Sequence, residues 1–216
     1  MAKSADKKAP EKNLPVPDFR DVDADAVAAA QAALGGGGIK PLTPPDDAKA
    51  AARMDKKGVY KYTRWAENVV ITQAYRTVTN TGLLDVTLLG KVRQSEGNDG
   101  ARVAFHYYLN YAEDRPENHE QMHDRSIGAI VTLLKATGFM PTNGTLKAVL
   151  LNKMFPQKNQ PGTASPLVNK EVIANITQTN GPRKDAKTKA PVKDEKGNVI
   201  IEDRDNAESF LPIDGE

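Results

Sequence analysis

The chain has 216 residues, of which 39% are hydrophobic and 27% are charged, and it contains no cysteine. That length allows one or two domains with a buried core, and the lack of cysteine excludes disulfide scaffolds, thiolate zinc sites, iron–sulfur clusters and a cysteine nucleophile. No apolar run approaches the roughly 18 residues of a membrane-spanning helix, so the sequence predicts no membrane partner. We therefore expect a cytoplasmic location.

The charges are distributed unevenly around a net charge of +2. Residues 58–200 hold 19 basic and 13 acidic side chains, whereas residues 201–216 hold six acidic side chains and one basic side chain. A basic body joined to an acidic end is typical of a protein that binds a polyanion and carries a separate C-terminal segment.

Residues 1–57 are rich in alanine, proline and glycine, including the run Gly35–Gly38, and are poor in large apolar residues. This composition predicts a disordered, flexible arm. Within it, Asp23–Leu34 (DADAVAAAQAAL) predicts a short helix that begins with acidic residues and is followed by glycines. An alanine-rich helix of this length is only marginally stable in water unless it docks against a partner.

Three consecutive antiparallel strands are predicted after the arm. Val69–Val78 is rich in β-branched residues and precedes a turn at Asn80–Gly82. Leu84–Arg93 alternates apolar and polar residues, and a second turn signal follows at Gly97–Gly100. The third strand is predicted to bury Val103, Phe105, Tyr107 and Leu109 on one face and to place Arg102, Ala104, His106 and Tyr108 on the other.

One helix and two further strands complete the predicted elements. Apolar residues recur at helical spacing from Met122 to Leu134, and Gly138 ends this helix. Glu171–Thr179 and Asn198–Ile201 predict the last two strands, and the polar residues 181–197 between them hold six basic and three acidic side chains. For Leu146–Leu151, a short helix and an extended connector both fit the pattern.

Three strands, a helix and two more strands follow the element order of the OB-fold, a Greek-key barrel. We therefore predict a mainly-β protein built as a five-stranded, OB-fold-like Greek-key barrel with one helix between strands 3 and 4. A disordered arm at residues 1–57 precedes the predicted nucleic-acid-binding domain at residues 58–203. An acidic tail at residues 204–216 follows the domain.

Basic and aromatic residues are interleaved on the strands and the loop that form the binding surface of OB-folds. Aromatic rings stack on bases while lysine and arginine contact phosphates, which is the combination needed to bind single strands largely without sequence preference. The predicted nucleic-acid-binding residues are Arg64, Trp65, Arg76, Lys91, Arg93, Arg102, His106, Tyr108, Arg183, Lys184, Lys187 and Lys189.

The chain resembles bacteriophage single-stranded DNA-binding proteins of the OB-fold type, a family associated with phage replication and recombination. The similarity rests on Gly58–Tyr60, Phe105–Asn110, Leu133–Gly138 and Asn169–Ala174. It implies a protein of the host cytoplasm that binds single-stranded DNA. It also implies an acidic tail that binds replication or recombination proteins through the apolar residues Phe210, Leu211 and Ile213.

Two other functions remain open from the sequence. A structural or adaptor protein of a virion would use the same elements without binding nucleic acid. The H-E-x-x-H pattern at His119–His123 is that of a zinc metallopeptidase, but its flanks are polar and no third ligand is near in the sequence. We expect a protein that is not an enzyme and has no catalytic residues, no metal and no cofactor.

Overall fold

The structure, a computed structural model, describes residues 14–34, 39–43, 64–95, 99–183, 185, 188, 190–194 and 197–213, without the side chains at 64, 65, 178–181 and 201–205. The helices in these ranges are α1 (Ala24–Ala33), α2 (Glu117–Ala136) and α3 (Ala148–Met154). The strands are β1 (Arg64–Val78), β2 (Leu84–Arg93), β3 (Arg102–Leu109), β4 (Glu171–Pro182) and β5 (Ile201–Leu211).

The five strands form one open antiparallel sheet in the order β3-β2-β1-β4-β5. The prediction of a mainly-β protein is therefore confirmed at this level. The first three strands lie where the sequence predicted them, except that β1 begins at Arg64 instead of Val69. Between β3 and β4 the described chain holds two helices instead of the one predicted, because Ala148–Met154 is helical. None of the described helices has the length and apolar character required to cross a membrane.

The core lies between the inner face of the sheet and α2, which packs against β3 and β5. Val103, Phe105, Tyr107 and Leu109 are buried on the inner face of β3, as the alternation predicted. The helix α2 ends where predicted, because Gly138 adopts a φ of +76°, a conformation that a side chain disfavours.

The described part of the N-terminal region is packed against the body instead of forming a free arm. Asp23 caps α1 by accepting a hydrogen bond from the Ala26 backbone N–H at 2.8 Å, and Phe19, Val27 and Ala30 are buried. Gly128 allows α1 to approach α2 closely, because a Cβ added there would lie 2.7 Å from the Ala30 carbonyl oxygen. This contact supplies the docking partner that the short alanine-rich helix requires. Within residues 1–57, the structure describes residues 14–34 and 39–43. The remainder of the predicted arm lies outside the described residues.

The last strand differs most from the prediction. β5 spans Ile201–Leu211 instead of Asn198–Ile201, so most of the predicted acidic tail forms an edge strand paired with β4. A bulge at Glu208 shifts the register, so that Ala207 and Phe210 both reach the core although they are three positions apart. Phe210 is therefore a core residue and not the free tip of a tail.

Candidate nucleic-acid interface

The outer face of β1, β2 and β3 carries side chains in rows that follow from the strand register. Tyr75, Thr87 and His106 form one row across the three strands, and Asp85 lies beside Tyr108 in the next row. Farther along the strands on the same face, Leu89 lies opposite Ala104, and three basic residues lie beyond that pair. We call this surface the outer face; its members are Gln73, Tyr75, Asp85, Thr87, Leu89, Lys91, Arg93, Arg102, Ala104, His106 and Tyr108.

The basic end of the outer face consists of Lys91, Arg93 and Arg102, all exposed. Lys91 lies directly opposite Arg102 in the ladder, and like charges in that position repel each other. The β4–β5 loop begins at this same end of the sheet, because β4 runs past the first residue of β1. Arg183, the first residue of that loop, is also exposed. An anion bound at this end would relieve the repulsion.

The aromatic end of the outer face is organised around His106. Its Nδ1 lies 3.1 Å from Asp85 Oδ1 and 3.3 Å from Thr87 Oγ1, which fixes the orientation of the ring. The ring is nearly parallel to that of Tyr108, with centroids 6.2 Å apart and an interplanar angle of 12°. The side chain of His106 is 43% exposed and Tyr108 is partly buried, so solvent reaches the pair of rings mainly at His106.

Lys158 extends the aromatic end in a way that the sequence pattern did not indicate. Its Nζ lies 5.0 Å from the centroid of the Tyr75 ring, a cation–π contact. The Lys158 backbone N–H donates to the Arg76 carbonyl oxygen at 3.0 Å, which holds the segment after α3 beside β1. No periodic signal marks Lys158, since it lies outside the strands.

Arg76, which the sequence predicted to bind nucleic acid, does not belong to the outer face. A register shift between Ile71 and Gln73 reverses the alternation of β1, so that Arg76 points inward and its side chain is only 6% exposed. Its guanidinium donates to Asp18 Oδ1 at 2.7 Å and to the Phe155 carbonyl oxygen at 2.9 Å. Burial lowers the pKa of Arg76, and the nearby Asp18 carboxylate partly offsets that effect. Arg76 therefore ties the N-terminal segment to the end of α3.

The remaining predicted binding residues are only partly described. Arg64 and Trp65 begin β1 opposite Thr177 and Ile176, but their side chains lie outside the description. The three loop lysines, Lys184, Lys187 and Lys189, also lie outside the described residues. Of the predicted tail contacts, Leu211 ends β5 and Ile213 follows it, and both are partly buried.

A cavity of about 710 Å³ opens between the sheet edges β3 and β5. We call it the seam cavity. α2 and β5 both contribute to its lining, as do residues 39, 40 and 42. The lining side chains are Ala33, Leu34, Ile39, Lys40, Leu42, His106, Tyr107, Tyr108, Asn118, Gln121, Met122, Arg125, Ser126, Ala129, Asn175, Asn206, Ala207, Glu208 and Ser209. Because His106 and Tyr108 line the cavity, it adjoins the aromatic end of the outer face.

The H-E-x-x-H pattern lies in the first turns of α2, next to the end of β3. His123 Nδ1 accepts a hydrogen bond from the Asn110 backbone N–H at 3.2 Å, and His119 Nδ1 lies 3.3 Å from the Asn110 side-chain nitrogen. Both imidazoles thus contact Asn110. Within the described ranges, no three His, Cys, Asp or Glu side chains are grouped so that they could hold a metal ion.

The imidazole of His123 is kept neutral by its surroundings. Burial lowers its pKa to about 4, and the positive charge of Arg115 acts in the same direction, while Asp124 opposes them. The ordinary pKa of a histidine is about 6.5. Between pH 6.5 and pH 4, His123 is therefore protonated in the unfolded chain and neutral in the folded chain. Stability contributed by His123 is complete above that window and is lost as the pH falls through it.

We expect the free energy of unfolding to fall by about 1–2 kcal/mol more between pH 7 and pH 4 in the wild-type protein than in His123→Gln. This range is discounted from the full pKa shift because the ring is partly exposed. Urea unfolding of both proteins at several pH values measures the difference. A His123→Gln variant with the same decline as the wild-type protein would contradict the assignment.

No protein-family model matches this chain, and the search of curated proteins found no match.

Proposed function

We propose that this protein binds single-stranded DNA on the outer face of β1–β3, largely without sequence preference, in bacteriophage replication or recombination. The observation that carries the proposal is the arrangement of exposed cations and ordered rings on one continuous surface. Lys91, Arg93 and Arg102 are placed to contact phosphates, while Tyr108 and His106 offer flat faces to bases. The phage context rests on the sequence resemblance.

The sheet geometry supports a barrel of the OB-fold type as part of this proposal. β3 and β5 run in the same direction, as the antiparallel pairings require, and they are the two edges of the sheet. The Tyr107 hydroxyl donates to the Ala207 carbonyl oxygen at 3.0 Å, and the Phe105 and Phe210 rings lie 6.0 Å apart. Bringing these edges together gives the strand arrangement in which the face of strands 2 and 3 binds oligonucleotides.

In this proposal the strand of DNA extends from the basic end to the aromatic end of the outer face. The mutual repulsion of Lys91 and Arg102 favours a phosphate near them, because the anion offsets two like charges. Arg183, the first residue of the β4–β5 loop, is at the same end of the sheet by strand register, where it adds to the positive potential.

Fluorescence titration with oligo-dT tests the stacking role of Tyr108. We expect Tyr108→Ala to weaken binding by about 1–3 kcal/mol, because a base loses its stacking partner. Tyr108→Phe is the matched control: it keeps the ring and should retain the affinity. Melting temperatures of both variants verify that they fold.

Wild-type affinity in both variants would remove Tyr108 from the binding surface. No binding of oligo-dT by the wild-type protein, even at low salt, would reject the proposed function and favour the virion alternative.

A further inference from the structure

The seam cavity combines apolar walls with hydrogen-bonding groups. Leu34, Ile39, Leu42 and Met122 contribute apolar surface, while carboxamide side chains come from α2, β4 and β5. Its volume of about 710 Å³ lies within the range of ordinary ligand sites. A nucleobase also combines apolar surface, on its two faces, with hydrogen-bonding groups, along its edge. The cavity and a base are therefore chemically complementary.

The carboxamides of the cavity are not equivalent. Asn175 is fully engaged: its side-chain nitrogen donates to the Lys40 carbonyl oxygen and to Ser209 Oγ, and its oxygen accepts from the Leu42 N–H. Asn118 and Gln121 are exposed, and no group in the described part of the chain hydrogen-bonds to either side chain. Three positions apart on α2, they lie on the same helix face and line the cavity together.

The charges at the cavity favour a nucleotide over a cationic ligand. Lys40 and Arg125 contribute two positive charges, whereas Glu208 is the one acidic residue among the described lining residues. Arg125 lies one helical turn beyond Gln121, so it is placed near the same group that the carboxamide would bind. A phosphate attached to a base in the cavity therefore has a cation nearby.

The path of the DNA leads to the cavity. His106 and Tyr108 belong both to the outer face and to the cavity lining, and their rings are nearly parallel. A single strand that follows the outer face past its aromatic end thus reaches the mouth of the cavity next.

We infer that the seam cavity binds one unstacked base of the bound strand, that Asn118 and Gln121 recognise its edge, and that adenine is preferred. This inference rests on the proposed function. A carboxamide presents one donor and one acceptor side by side, which match the N6 amino group and the adjacent ring nitrogen of adenine. The remaining nucleotides contact the outer face without regard to sequence.

The test compares two probes: an oligo-dT of about twelve nucleotides and the same strand with one central adenine. We expect the wild-type protein to bind the adenine-containing strand about tenfold more tightly. In the double variant Asn118→Ala/Gln121→Ala this ratio should fall to about one, while the affinity for oligo-dT stays within about twofold. Alanine on an exposed helix surface favours the helix, so the variant retains its fold.

Gln160→Ala serves as the matched control, because Gln160 is an exposed carboxamide that does not line the cavity. It should keep the adenine preference. Equal affinity of the wild-type protein for both probes, a preference for another base, or an unchanged ratio in the double variant would each overturn the inference and leave the proposed function standing. Failure of the wild-type protein to bind either probe would overturn both.

Discussion

Phe210→Ala is expected to lower the free energy of unfolding by about 3–5 kcal/mol, because it removes a large side chain from a packed core. The ring lies 6.0 Å from Phe105 and 6.4 Å from Tyr107, and only 4% of the residue is exposed. The Phe210 backbone N–H also donates to Thr132 Oγ1 at 3.0 Å, which ties β5 to α2. Urea unfolding monitored by circular dichroism measures the loss.

Ile213→Ala is the control for this experiment, since Ile213 follows β5 and is only partly buried. Its expected cost is about 1 kcal/mol. A Phe210→Ala variant as stable as the wild-type protein would contradict the position of β5. It would also restore the sequence-based hypothesis that Phe210 is the tip of a partner-binding tail.

Arg76→Met is expected to lower the free energy of unfolding by about 3 kcal/mol, because buried carbonyl oxygens lose their donor. The guanidinium contacts the Phe155 carbonyl oxygen at 2.9 Å and lies over the Phe19 ring, 5.9 Å from its centroid. Methionine keeps most of the apolar volume, so the loss isolates the polar contacts. The folded variant should bind oligo-dT as the wild-type protein does.

Asp18→Asn separates the ion pair from the rest of the Arg76 contacts. The Asp18 side chain is 73% exposed, so its loss of charge should cost less than about 1 kcal/mol. If Arg76→Met were as stable as the wild-type protein but bound DNA more weakly, Arg76 would belong to the binding surface after all.

The strands with regular alternation could be predicted from the sequence, and those with bulges could not. β3 alternates without interruption, so the buried Phe105 and the exposed His106 were assigned to the correct faces. In β1 the register shift after Ile71 turns Arg76 inward, and a charged residue in a strand otherwise suggests an exposed position. In β5 the bulge at Glu208 hides the apolar pattern completely.

The parts of the candidate site that depend on distant segments were also beyond sequence reasoning. Lys91, Arg93, Arg102, His106 and Tyr108 lie within two neighbouring strands, so these residues of the outer face could be listed in advance, whereas Lys158 could not. The seam cavity, by contrast, joins α2, β3, β5 and residues 39–42. α1, which docks at Gly128, contributes Ala33 and Leu34 to the lining, and β5 contributes residues 206–209. No local pattern carries that information.

The salt dependence of oligo-dT binding tests the central claim most directly. If Lys91, Arg93 and Arg102 each contact a phosphate, replacing all three with glutamine should reduce the magnitude of the log–log salt slope by about 2, at roughly 0.7 per contact. The matched control replaces Lys135, Lys147 and Lys153, which are exposed on or beside the helices, with glutamine. We expect a reduced slope for the outer-face variant and a wild-type slope for the control. An identical slope in both variants would contradict it.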